Sequence, residues 1–186
     1  MKIKQTIMIV GPTVVPERVL NAMNRPSISH RSPEYMEVHK RVRQGLKQIF
    51  QTENEVFILT SSGTGAMEAA IQNCFSFGDE VVVAVLGIFS EQFAQMAEAF
   101  QLKVKRVSVD PGERVNVDEL MSHVSPATKG VFIIHNESST GVFNDLKAFG
   151  DRLKDTETLL IVDSVSGAAG LPVKLDEWHI DILLST

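Results

Sequence analysis

The stretch Leu159-Leu160-Ile161-Val162-Asp163-Ser164-Val165 decides the fold class. Four apolar residues in a row, two of them β-branched, end in a carboxylate. Alternation with a period of two would mark a strand with one wet face. An unbroken run marks a strand covered on both faces, as in a parallel sheet between helices. Open α/β sheets bind ligands beyond the carboxyl ends of their strands, which is where Asp163 falls. A carboxylate there is partly buried and needs a partner or a chemical role. Asp163 is therefore a candidate site residue. The plainer alternative is a carboxylate that caps a loop.

Five further runs read the same way: Val56–Thr60, Val81–Leu86, Val104–Val109, Gly130–His135 and Ile180–Leu184. Segments of helical spacing alternate with them. Pro33–Phe50 aligns Met36, His39, Val42, Leu46 and Ile49, with Ser32 as N-cap and proline at the first helical position. Gly65–Cys74, Phe89–Phe100 and Phe143–Lys154 carry apolar stripes as well. Strands alternating with helices predict an α/β fold, a three-layer sandwich around a mostly parallel sheet. Residues 1–25, including Val10-Gly11-Pro12-Thr13, stand apart as an extended N-terminal segment. Residues 26–186 form the cofactor-sized domain, and the apolar run just before Ser185-Thr186 suggests that this domain is incomplete.

Composition narrows the function. The 186 residues carry 18 Lys and Arg against 23 Asp and Glu, a net charge of −5, which argues against a nucleic-acid binder. No apolar run approaches the ~20 residues of a membrane span. Met1-Lys2-Ile3-Lys4-Gln5 lacks a signal-peptide core. The single cysteine, Cys74, excludes an internal disulfide or a Cys-based metal cluster, and the histidines show no metal spacing. These features predict a cytoplasmic protein without a metal, and Cys74 reads as a small core residue among Ala and Ile.

The other strand ends add to Asp163. Thr60-Ser61-Ser62-Gly63-Thr64-Gly65-Ala66 turns from a strand into a helix whose free N–H groups and dipole suit a phosphate. It is neither a P-loop nor a good dinucleotide fingerprint, since Glu68 falls where a small residue belongs. An ordinary glycine turn is the plainer reading. After Val81–Leu86, Phe89 either continues the core stripe or stacks on a flat ligand. At the end of Gly130–His135, the cluster His135-Asn136-Glu137-Ser138-Ser139-Thr140-Gly141 is dense in polar groups and reads either as a polar site or, more plainly, as a loop with turn signals. A phosphate cradle, an aromatic face and a strand-end carboxylate together suit a flat, cationic heteroaromatic with a phosphate tail. Pyridoxal phosphate fits, with Asp163 keeping its pyridine nitrogen protonated.

In this order the motifs resemble class V aminotransferases of fold type I, within them the alanine–glyoxylate and serine–pyruvate aminotransferase group. The resemblance runs from Gly11-Pro12-Thr13 through His30-Arg31-Ser32-Pro33-Glu34-Tyr35, Ser62-Gly63-Thr64-Gly65, Gly87-Ile88-Phe89, Glu137-Ser138-Ser139-Thr140-Gly141 and Val162-Asp163-Ser164-Val165-Ser166 to Trp178-His179-Ile180-Asp181. It implies that Ser62, Gly63 and Thr64 bind the cofactor phosphate. It also implies that Phe89 stacks on the ring, Ser138 meets its phenolic-oxygen side, Asp163 holds its nitrogen and Val165 packs on the other face. Ser90 stands where the group often has Gly.

The resemblance further implies a homodimer that moves an amino group from a small amino acid to glyoxylate or pyruvate. It places no catalytic lysine within these residues. The Schiff-base lysine is expected just after Thr186, so the chain is read as an N-terminal part, inactive by itself. A seventh strand, between the first and the sixth, is also expected beyond it. Two alternatives stay open at this point: a non-catalytic remnant of the same fold, and a dinucleotide-binding protein.

Overall fold

The computed structural model describes residues 7–186 and divides them into two units, one ending at Gln44 and one spanning Gly45–Thr186. The stretch Met1–Gln5, read above as lacking a signal-peptide core, lies outside the described residues.

In the first unit, Glu17–Met23 forms helix α1 within the segment expected to be extended. The residues from Met8 to Val15 are exposed and carry no regular structure. Helix α2 (Pro33–Phe50) begins as anticipated: the Ser32 hydroxyl accepts from the Tyr35 N–H at 3.2 Å, and Tyr35 and His39 stack one turn apart. Met36, Val42 and Ile49 on its apolar stripe stay substantially exposed, and α2 has no buried residue.

The second unit holds the sheet. Helix α3 (Gly63–Cys74) precedes β1 (Glu80–Val85), followed by α4 (Ile88–Ala99), β2 (Lys103–Ser108) and α5 (Val117–Ser122). Then come β3 (Thr128–Ile134), the short β4 (Asn136–Glu137) and β5 (Val142–Phe143), α6 (Leu146–Leu153), β6 (Leu159–Asp163) and β7 (Ile182–Leu184). Five strands lie in the order β2-β1-β3-β6-β7, every pair parallel. β4 and β5 form a small antiparallel hairpin.

The unbroken apolar runs serve two cores. Val81, Val83, Phe132, Ile134 and Ile161 face Met67, Ala70 and Ile71 of α3 and Phe93, Ala94 and Ala97 of α4. Their alternate neighbours Val82, Ala84, Val131, Ile133, Leu160 and Val162 face Leu120 of α5 and Leu146, Phe149 and Leu153 of α6. Period-two side-chain placement thus delivers each strand to both layers. Phe132 is stacked on Phe93 with centroids 4.6 Å apart and meets Phe75 edge-on at 5.4 Å. Full burial of such side chains contributes about 1.5–3 kcal/mol each.

Val56–Thr60 departs from the reading above. It is not a strand, and Phe57 is 82% exposed. A strand is stabilised by pairing rather than by its own sequence, and among the described residues none pairs with this run. Just before it, the Asp176 carboxylate holds the chain, accepting from Thr52 Oγ1 at 2.5 Å, from the Glu53 N–H and from Asn54 Nδ2. These bonds hold its acid form in check and keep its pKa below the ordinary carboxylate value despite some burial, Thr52 contributing most. Cys74 also differs from expectation. It is the last residue of α3, past the buried turn at Met67, Ala70 and Ile71, and is exposed.

Candidate active site at the strand tips

The parallel sheet sends the carboxyl ends of β1, β3 and β6 to one edge, and the start of α3 meets them there. Asp163 is the last residue of β6, paired with Ile134 on one side and Leu184 on the other. It is 4% exposed. Its Oδ1 accepts from the Val165 N–H at 2.8 Å, and among the described residues its second oxygen accepts no hydrogen bond. Burial pushes its pKa up, the Val165 N–H opposes this, and the nearby Glu137 charge pushes it up further. A carboxylate held this way is short of a cation.

Val165 joins Asp163 to the glycine turn. A methyl group built on Gly63 would lie 3.0 Å from Val165 Cγ2. Ser62 caps α3, its hydroxyl accepting from the Gly65 N–H at 3.4 Å, so the first amides of a twelve-residue helix open toward the same edge. A Cβ at Gly65 would sit 1.9 Å from Ser61 Oγ, so a larger residue there would require the Ser61 hydroxyl to turn away. Thr64 Oγ1 accepts from Gln92 Nε2 at 3.3 Å, which ties the start of α3 to α4.

Phe89 lies in the first turn of α4 and is 40% exposed; Val165 is 37% exposed. Apolar groups left open at the strand-tip edge, one of them two residues from a buried carboxylate, suit a flat ligand better than they suit water. The Ser138 and Ser166 hydroxyls are hydrogen-bonded, which joins the loop after β3 to the loop after β6. Contacts therefore run from Gly63 to Val165 to Asp163, from Thr64 to α4, and from Ser138 to the segment after Asp163.

Three residues of the edge, named in the sequence but given no role there, have defined partners or burial in the structure. Glu137 is fully buried, and its two oxygens accept from Phe89, Ser90 and Ser139. Burial pushes its pKa up, but bonds from the Ser139 hydroxyl and from the Ser90, Ser139 and Phe89 amides together outweigh it and hold the carboxylate below its ordinary range. Ser90 is buried, with Oγ accepting from the Leu86 and Gly87 amides. This gives its hydroxyl a structural reason where a Gly had been noted as usual. His135 is fully buried beneath the edge, with Nδ1 2.8 Å from Ser164 Oγ and Nε2 unpaired. Burial lowers its pKa to about 4.

Comparison with known proteins follows this geometry. The family model described as "Aminotransferase class-V" matches residues 11–186. A curated relative named "Soluble hydrogenase, small subunit", from Synechococcus sp., is 40% identical over 98% of this chain and 49% of its own length. A serine–glyoxylate aminotransferase of Arabidopsis thaliana is 34% identical over 96% of this chain and 46% of its own. The crystal structure of an alanine–glyoxylate aminotransferase from Nostoc sp. superposes with a TM-score of 0.91 at 31% identity, over 95% of this chain and 48% of that one. The chain spans about half the length of the relatives it matches.

Proposed function

This chain belongs to the class V aminotransferase family, and we propose that its strand-tip edge holds pyridoxal phosphate for amino-group transfer to a small 2-oxo acid. The observation that carries the reading is the buried Asp163 carboxylate, whose second oxygen accepts no hydrogen bond among the described residues and whose pKa is raised, beside two partly exposed apolar side chains and a helix start. The donor set fits the cofactor. A protonated pyridine nitrogen supplies the cation that Asp163 lacks, the α3 amides and the Ser62 and Thr64 hydroxyls suit a phosphate, and Phe89 and Val165 offer the two apolar faces of a ring. When bound, the protonated ring withdraws electrons from the substrate α-carbon.

The residues of the chain then have separate tasks. Asp163 holds a proton on the ring nitrogen. Ser62, Gly63 and Thr64 anchor the tail. Phe89 and Val165 exclude water from the ring faces and fix its tilt, and Ser138 faces its phenolic oxygen. A small amino acid serves as donor and glyoxylate or pyruvate as acceptor; the names of two relatives, a serine–glyoxylate and an alanine–glyoxylate aminotransferase, support glyoxylate. The working protein is read as a cytoplasmic homodimer, a compartment in keeping with a single cysteine. Among the described residues no helix is long and apolar enough to cross a membrane.

Titration of the protein expressed from its natural gene, followed by absorbance and by amino transfer from alanine or serine to glyoxylate, tests the reading. Saturable binding of pyridoxal phosphate with transfer is expected. Binding of NAD in its place would contradict it, and cofactor binding without transfer would favour a non-catalytic role.

A further inference from the structure

Glu137 has no task in the account above, yet it is among the most heavily bonded side chains of the edge. It lies at the end of β4, and its partners lie 47 and 48 residues earlier, in the first turn of α4. Oε1 accepts from the Phe89 N–H at 3.4 Å, from the Ser139 N–H at 3.2 Å and from Ser139 Oγ at 2.7 Å. Oε2 accepts from the Ser90 N–H at 3.0 Å and lies 3.0 Å from Ser90 Oγ. Ser139 Oγ accepts in turn from the Ile88 N–H at 3.0 Å. Three successive amides at the start of α4, those of Ile88, Phe89 and Ser90, are therefore held by one carboxylate and the hydroxyl it binds. A helix start ordinarily leaves such amides to water or to a nearby cap. Here the cap comes from a distant loop and sits at the positive end of the helix.

Gly87 shows how closely the clamp is seated. A Cβ at that position would lie 2.4 Å from Ser139 Oγ, 2.5 Å from Glu137 Cγ and 2.6 Å from Glu137 Cδ. The Gly87 backbone is extended, with φ 173, so any residue could adopt it. Glycine is required here for space alone, because the Glu137 side chain occupies the volume a Cβ would take.

We propose that Glu137 is a positioning residue that locks the first turn of α4 to the Ser138–Ser139 loop and thereby sets the Phe89 ring against the cofactor. The inference rests on the cofactor reading above. Glu137 touches no reacting atom; it acts through Phe89. Two acceptor oxygens facing opposite sets of donors are needed for this. Glutamine, equal in size, would turn its NH2 group against one set, because its amide carries a single acceptor oxygen.

The test is a double-mutant cycle in the full natural protein, read as pyridoxal phosphate affinity and as the circular dichroism of the bound cofactor. Glu137→Gln is expected to weaken binding about tenfold and to reduce the induced dichroism. Phe89→Ala is expected to do the same, and the double variant to bind no worse than Phe89→Ala alone, since the clamp has then nothing to place. Losses that add in full, or Glu137→Gln with unchanged affinity and dichroism, would overturn the proposal. Should Glu137→Gln fail to fold, Gly87→Ala displaces the carboxylate while keeping its charge, and the same weakening is expected. Wild-type affinity in Gly87→Ala would overturn the clamp. If the wild-type protein itself binds no pyridoxal phosphate, the cofactor reading fails and the clamp proposal falls with it, an outcome distinct from additive losses.

Discussion

Gly63 and Val165 are in near contact: the space where a Gly63 side chain would begin ends 3.0 Å away at Val165 Cγ2. They are 102 positions apart in the chain, and their approach brings the turn before α3 against the residue whose N–H binds Asp163. The two ends of a phosphorylated ring, tail and nitrogen, would be gripped by these two segments.

This approach makes Gly63 a sensitive position. Gly63 is the first residue of α3, where glycine costs the helix little, and an alanine methyl there must push Val165 aside by only a few tenths of an ångström. Gly63→Ala is therefore expected to leave the melting temperature close to wild type yet to weaken pyridoxal phosphate several-fold. Gly63→Val should weaken it about tenfold or more, near 1.4 kcal/mol. Calorimetric melting together with cofactor titration checks both halves. An affinity unchanged in Gly63→Val would show that the contact with Val165 plays no part in binding.

Asp163 predicts opposite effects with and without ligand. Burial and the Glu137 charge raise its carboxyl pKa above the ordinary 3.8. The native state then binds the proton more tightly than the unfolded chain. Its contribution to stability is complete below the unfolded value and is lost as pH rises through the folded one. Asp163→Asn keeps an oxygen for the Val165 N–H and removes the charge. The ligand-free variant is expected to melt higher than wild type at pH 7, with the difference disappearing below about pH 4. Its affinity for pyridoxal phosphate should fall ten- to a hundredfold, the worth of a charge-assisted hydrogen bond. A variant that melts lower at pH 7, or binds as tightly as wild type, would refute the role given to this carboxylate.

His135 works in the reverse direction. Its pKa is lowered to about 4 from 6.5 by burial. Stability is complete above 6.5 and is lost as pH falls toward 4, by an amount on the order of 3 kcal/mol. His135→Asn can still meet Ser164 Oγ but cannot titrate there. Chemical denaturation at pH 7 and pH 4.5 should show a smaller acid loss in the variant than in the wild type. Equal losses would assign the acid sensitivity elsewhere. Because Asp163 and His135 slope oppositely over this range, each is read from its variant minus wild type.

Which parts of this were legible in the sequence follows from how local each signal is. Helix α2 was bounded to the residue because its cap, Ser32, and its proline lie beside it. The runs from Val81 and Leu159 were found because burial on both faces removes polar residues from a strand wherever it pairs. Val56–Thr60 looked the same in composition, but its state depends on pairing that five residues cannot reveal. Helix α5 was missed for being short. Its signal was present, since Asn116 accepts from the Glu119 N–H in a capping arrangement that Asn-x-x-Glu announces. At the edge, Asp163, Phe89 and the Ser62–Thr64 turn could be picked out because each ends or begins an element. Glu137 was legible only as one member of a polar cluster, because its partners Phe89 and Ser90 are set by the fold and not by its neighbours in sequence.

The central claim is that Asp163, Phe89, Val165 and the Ser62–Thr64 turn grip one ring and its phosphate. A crystal structure of the full natural protein grown with pyridoxal phosphate tests it most directly. The account predicts the pyridine nitrogen within hydrogen-bond distance of Asp163, the ring between Phe89 and Val165, and the phosphate on the first amides of α3. A cofactor seated away from Asp163, or a phosphate held elsewhere than at Ser62–Thr64, would contradict it.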